Sequence, residues 1–210
     1  ESGTTATFTV VLDSQPDADV TIGLSSSDST EGSVSPATLT FTSADWNTPQ
    51  TVTVTGVDDA EDDGNRAFVI QTGATVSADT NYNGVSVADV SATTTDDDAA
   101  GITVTPTSGV TTTEGGGTAT FTVALNSQPT ADVTIGLSSS DTTEGTVSPA
   151  SVTFTSANWN TPQTVTVTGV DDPAQDGAQS YSVVSAAASS ADPRSEEHTS
   201  ELQSHLNLVC

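Results

Sequence analysis

The side chains of this sequence that could do chemistry are acids in short runs. Asp58 and Asp59 are followed by Glu61, Asp62 and Asp63; Asp96, Asp97 and Asp98 stand together; Asp171 and Asp172 are followed by Asp176. Carboxylates this close repel one another, so a fold that gathers them either splays them into solvent or neutralises them with a hard cation. Calcium takes roughly six to eight oxygen ligands, and loop carboxylates with backbone carbonyls supply such a set. Magnesium prefers fewer carboxylates and more water, which makes it the second choice. Residues 1–193 contain no His and no Cys, which argues against zinc, copper or iron.

Catalysis draws no comparable support, and no enzyme is expected. Ser25, Ser26 and Ser27 have no His or Lys to act as base. Glycoside hydrolysis by paired acids needs a cleft that keeps one carboxyl protonated, whereas these acids fall in loop sequence.

The acid runs recur because the chain repeats itself. Glu1–Asp59 matches Glu114–Asp172 at a constant offset of 113, with 49 of 59 positions identical. A fixed period of that length means tandem modules, each the size of one domain. The repeat breaks after Pro193, and Arg194–His205 resembles the translation of a short-read sequencing adapter, with Asn207–Cys210 fitting its continuation. Residues 194–210 are therefore read as a non-native tail and set aside from fold reasoning.

The formal net charge is −26, and residues 1–193 set 25 acids against a single cation, Arg66. Neither nucleic acid nor an anionic membrane is an expected partner, since phosphates find nothing to pair with. Charge of this size calls for bound cations or high ionic strength. Without Cys in residues 1–193 there is no disulfide framework. No apolar run approaches the roughly 20 residues of a membrane span, so no direct insertion is expected.

The elements that must position the acids alternate with period two. Ala6, Phe8, Val10 and Leu12 form one such series, Val20, Ile22 and Leu24 another, then Leu39 with Phe41 and Val52 with Val54. Half-buried antiparallel strands follow, separated by turn clusters at the spacing of a β-sandwich. Counting strands up and down places Glu1, Asp28, Glu31, Asp58–Asp63 and Asp96–Asp98 at one end of the sandwich. Isolated Asp13, Asp17 and Asp45 read as solvated loop acids. Trp46 and Trp159 read as packed corner aromatics in preference to a sugar-stacking platform. The outward threonines Thr51, Thr53 and Thr55 read as ordinary β-formers rather than glycan or ice-binding positions.

One series of residues carries a family resemblance. An acid opens the second strand of the module, and a strand ends Val57-Asp58-Asp59 with Asp63 shortly after and an aromatic strand at Phe68. A junction Asp96-Asp97-Asp98-Ala99-Ala100-Gly101-Ile102 follows. This pattern resembles the Calx-β domain over residues 1–193. The resemblance implies all-β, tandem immunoglobulin-like antiparallel sandwiches and calcium ligation by Glu1, Asp28, Asp58, Asp59, Asp63 and Asp96–Asp98, with the Glu61 carbonyl as a further ligand. In the second copy it implies Glu114, Asp141, Asp171, Asp172 and Asp176. Pro173-Ala174-Gln175 replaces Ala60-Glu61-Asp62, and the acidic triplet has no counterpart, so that site is less acidic.

The expected organisation is one sandwich over 1–98 lacking its first strand, a second over 99–193 lacking its last strand, and a non-native tail. The expected function is a bacterial secreted or cell-surface adhesion repeat, whose partners are calcium, neighbouring repeats of the same chain and cell-surface or glycan ligands. Cations at the Asp96–Asp98 junction would stiffen a rod of such repeats. A carbohydrate-binding module and a calcium sensor of a membrane protein are the alternatives.

Overall fold

The computed structural model describes residues 3–173, 177–192 and 206–209. The chain forms two compact units. The first comprises Glu1–Asp59 with Asp63–Asp97, and the second Ala60–Asp62 with Asp98–Cys210. Every regular element among the described residues is a strand, as the period-two patterning requires.

In the first unit the strands are β1 (Thr5–Val10), β2 (Val20–Ser26), β3 (Gly32–Ser35), β4 (Thr38–Phe41), β5 (Gln50–Gly56), β6 (Arg66–Thr72), β7 (Val76–Ser77) and β8 (Val90–Thr94). They pair as two antiparallel sheets, β1-β5-β3 and β4-β2-β6-β8, with β7 against β2. The alternating apolar residues meet between the sheets: Val20, Phe41, Val52 and Ile70 are each 0% exposed. Burial of this kind is the main stabilising contribution, at about 25 cal/mol per Å² of apolar surface. Phe68 lies on the backbone of Gly32, where any Cβ would strike the ring. The second unit repeats this contact with Tyr181 on Gly145, so glycine is required at both positions.

The second unit contains β9 (Ile102–Thr105), β10 (Ser108–Thr111), β11 (Thr118–Leu125), β12 (Val133–Ser139), β13 (Gly145–Ser148), β14 (Ser151–Phe154), β15 (Gln163–Gly169), β16 (Ser180–Ser185), β17 (Ser189–Ser190) and β18 (Leu206–Val209). One sheet runs β13-β15-β11-β9, and the other β10-β18-β16-β12-β14 with β17 against β12. The core is the offset image of the first, built on Val133, Ile135, Phe154, Val165 and Val167, all 0% exposed.

Two departures from the sequence expectation stand out. Phe8 and Val10 are only half-buried, whereas their counterparts Phe121 and Val123 are 3% and 2% exposed. The difference arises because β9 pairs with β11 and Val110 of β10 enters the second core, while β1 pairs with β5 alone. The second departure concerns the tail, which was set aside from the fold. Leu206–Val209 pairs antiparallel with β16, from Ser180↔Val209 to Val183↔Leu206, and parallel with β10. This is the register in which Val90–Thr93 of β8 meets Ala67–Ile70 of β6. The place expected to be empty of a last strand is held by a segment from outside the repeat.

Candidate functional site

Strand registers bring the first unit's acidic loops to one end. Gly56 at the end of β5 faces Gly32 at the start of β3, and Arg66 at the start of β6 faces Thr94 at the end of β8. Loops leaving β2, β5 and β8 therefore open on the same rim, as strand parity predicts. Buried Glu31, 8% exposed, is anchored there through its carbonyl, which accepts hydrogen bonds from Val57 N–H (3.0 Å) and the Thr94 hydroxyl (2.7 Å). The sequence reading put Glu31 on the rim but not in the ligand set.

The loop that follows Asp63 meets Asp96 through hydrogen bonds of Gly64 and Asn65. The N–H of Gly64 donates to Asp96 Oδ2, and Asp96 N–H donates to Asn65 Oδ1 at 3.0 Å. Gly64 has φ +74, a left-handed conformation that lets the loop turn its amide towards Asp96. Asp63 Oδ2 accepts from Arg66 Nε at 2.7 Å. The other oxygen, Asp63 Oδ1, is buried and takes no hydrogen bond from the described residues. The hydrogen bond to Asp63 first, then the charge of that carboxylate and, more weakly, of Glu31 and Asp28, holds the Arg66 guanidinium above its ordinary pKa. Arg66 was missed as part of this site; being the only cation of residues 1–193 was the signal that could have found it.

The remaining predicted residues are more dispersed. Asp28 closes its own turn, with Oδ1 accepting from Thr30 N–H (3.0 Å) and the Thr30 hydroxyl (2.6 Å), and those bonds hold its carboxyl below the usual range. Asp141 repeats this with Thr143 at 2.9 and 2.6 Å, with the same consequence. Asp58, Asp59, Asp97 and Asp171 are exposed, and Asp172 and Glu114 half-buried. Glu61 and Asp98 fall in the second unit, in which Ala100 N–H donates to Asp62 Oδ2 at 2.7 Å. Glu1 and Asp176 lie outside the described residues.

The donor chemistry fits a hard cation, because every side-chain ligand on the rim is an oxygen and Asp63 Oδ1 lacks the donor a buried carboxylate oxygen demands. Convergence is weaker than the ligand list implies. Among the described residues no group of three or more His, Cys, Asp or Glu is placed to hold a metal ion.

Other acids have structural duties. Asp79, 7% exposed, accepts from Asp17 N–H and Asn81 N–H, both at 2.9 Å, and these bonds lower its pKa. Asp192 holds Thr130 N–H in the same way at 2.9 Å. Asp45 accepts from Thr42 N–H at 2.6 Å, and Asn158 makes the matching bond to Thr155 N–H at the same distance. Interchange of Asp and Asn shows that this position needs an acceptor, not a charge. Trp46 and Trp159 pack against the two cores, as expected for corner aromatics.

No protein-family model matches the chain, and none of the curated proteins is similar to it in sequence. Among solved structures it is similar to CBD12 from CALX1.2, at 16% identity and TM-score 0.42 over 90% of this chain and 76% of that one. The calcium binding domain CBD12 of CALX1.1 is similar at 17% identity and TM-score 0.42, over 89% and 74%. Domains 1–6 of the surface layer protein SbsC are similar at 17% identity and TM-score 0.36, over 90% of this chain and 19% of that one.

Proposed function

We propose that the chain is a non-enzymatic, calcium-binding extracellular repeat of a surface or adhesion protein. The observation that carries this reading is the buried, unpartnered Asp63 Oδ1 on a rim that also bears Asp96, Glu31 and Asp28. A cation there would take Asp63 and Asp96 as side-chain ligands, and drawing in Asp28, Asp58 and Asp59 would require the rim loops to close around it. It would supply charge neutralisation and order the loops leaving β5 and β8; no reaction is involved. The residues of the second copy that would do the same are Asp141, Asp171 and Asp172, with Glu114 and Asp176. In a longer array of such repeats, ions bound by Asp96–Asp98 would stiffen the run from one repeat to the next.

Calcium titration of the intact chain, followed by differential scanning calorimetry, tests the reading. Binding to the native state alone raises the melting temperature by mass action, with affinity of roughly 10⁻⁴–10⁻³ M for loop ligands of an extracellular module. No rise in millimolar calcium, or an equal rise in sodium at matched ionic strength, refutes it.

A further inference from the structure

Among the described residues β4 pairs only with β2, and its copy β14 only with β12, so each is an edge strand with one free side. The ladder fixes which backbone groups point out from that side. Leu24 N–H donates to the Ala37 carbonyl and Leu137 N–H to the Ala150 carbonyl, each at 2.8 Å. By alternation, Leu39, Phe41, Val152 and Phe154 turn their backbone groups inward, to β2 or β12. Thr38 and Thr40 turn theirs outward, as do Ser151 and Thr153, and the parity continues to Thr42 and Thr155. Unpaired edge groups of this kind are a template for another strand. Charge or proline within the strand commonly blunts such an edge, yet Thr38–Phe41 and Ser151–Phe154 have neither.

Side chains from the following segment cap these groups instead. Gln50 Nε2 donates to the Thr40 carbonyl at 2.6 Å, and Gln163 Nε2 to the Thr153 carbonyl at the same distance. Asp45 Oδ1 takes the Thr42 N–H and Asn158 Oδ1 the Thr155 N–H, again at 2.6 Å. Asp45 and Asn158 also close the turns to which they belong. The two glutamines close no turn: each reaches back ten residues from the first position of β5 or β15, strands of the other sheet.

We propose that Gln50 and Gln163 are edge guards, which keep β4 and β14 from pairing with the same edge of a second copy of this chain. A strand added at this edge needs the Thr40 or Thr153 carbonyl as an acceptor, and it meets the glutamine side chain already held there. The strand excluded is a second copy, because a two-fold axis sets such an edge antiparallel to itself. Locally nothing else opposes that contact, since Thr38–Phe41 and Ser151–Phe154 carry no charge. The net charge of −26 repels at longer range only, and salt screens it.

The test compares the full chain with a double variant, Gln50→Ala with Gln163→Ala, by light scattering and hydrogen exchange in about 0.5 M NaCl, where the net charge is screened. Between roughly 10 μM and 1 mM protein, the weight-average mass of the variant should rise to at least about twice that of the wild type. Amides of Thr38, Thr40, Ser151 and Thr153 should gain protection in the associated form, while those of Ile22 and Val52 keep theirs. Adding Thr40→Pro and Thr153→Pro should return the mass to the wild-type value. Proline there removes the outward donor that a second strand would use and leaves the bonds to β2 and β12 in place. A double alanine variant with the wild-type mass at millimolar concentration, association that persists with the prolines present, or association in which Ile22 and Val52 lose protection would each overturn the proposal.

Discussion

Arg66 Nε lies 2.7 Å from Asp63 Oδ2, while Asp63 Oδ1, on the same carboxylate, is buried without a hydrogen bond. The one guanidinium of residues 1–193 thus sits where a metal ion would have to compete with it. At the equivalent place the second copy has Gln179, which carries no charge. Arg66→Gln should therefore strengthen calcium binding by the first unit several-fold, because a competing cation has been removed from Asp63. Without calcium the same variant should melt slightly lower, since an exposed ion pair contributes little. Calorimetric titration of both proteins distinguishes this from a merely structural Arg66, which would leave calcium affinity unchanged or weaker.

Acid lability follows from the carboxylates held low by their hydrogen bonds: Asp28 and Asp141 by threonine hydroxyls, Asp45 by Thr42 N–H, and Asp79 by Asp17 N–H. A carboxyl whose folded pKa is depressed contributes stability that is present above its unfolded pKa and lost as pH falls through the folded one. Both units should therefore hold their stability down to about pH 4 and lose it below. Asp45→Asn keeps the acceptor, as Asn158 demonstrates, and removes one titrating group. Its melting temperature near pH 7 should barely change, and its decline below pH 4 should be shallower in the first unit. Asp79→Ala, by contrast, removes the acceptor of two part-buried backbone hydrogen bonds and should lower that unit's melting temperature by roughly 3–10 °C at neutral pH. Thermal scans across pH on the three proteins check both statements.

Much of this fold was legible because Val20, Ile22, Leu24, Leu39 and Phe41 alternate cleanly with small polar residues, and strand parity then placed the acidic loops on one rim. Alternation could not reveal that Phe8 would stay half-exposed, because its burial depends on a strand supplied from elsewhere in the fold. Nor could it show that Asp28 and Asp141 spend an oxygen on their own turns, or that Asp45 is interchangeable with Asn. Those outcomes are set by hydrogen bonds only two or three residues away, at distances that charge counting ignores. Convergence of carboxylates is a three-dimensional property, and the acid runs supply proximity along the chain without it.

Two separate cores should give separable unfolding. Phe41 is 0% exposed in the first unit and Phe154 0% in the second. Phe41→Ala should cost about 3–5 kcal/mol in the first unit, through lost transfer energy and the cavity left behind. Phe154→Ala should do the same for the second. Calorimetry should show each substitution moving one transition and leaving the other within about 1 °C of its original midpoint. A shift of both transitions by either variant would mean the units unfold as one.

The sharpest conflict between sequence and structure concerns the segment with no counterpart in the repeat. As a foreign tail, residues 194–210 should be dispensable, and their removal should leave stability unchanged. Leu206–Val209, as β18, fills the slot between β10 and β16, and without it Ser180–Val183 and Val110 lose their pairing partners along that edge. Backbone pairing is largely indifferent to the origin of a strand, provided it is extended and alternates. Deleting 206–210 should therefore lower the second unit's melting temperature by several degrees and leave the first unit's unchanged. Replacing Leu206–Val209 by the sequence of Val90–Thr93 should restore or exceed the original midpoint, because that segment already pairs in this register in the first unit. Hydrogen exchange supplies the second readout: amides of Ser180–Val183 should lose protection on deletion and regain it on replacement. Unchanged melting and unchanged protection after deletion would return the segment to the status of an unanchored tail.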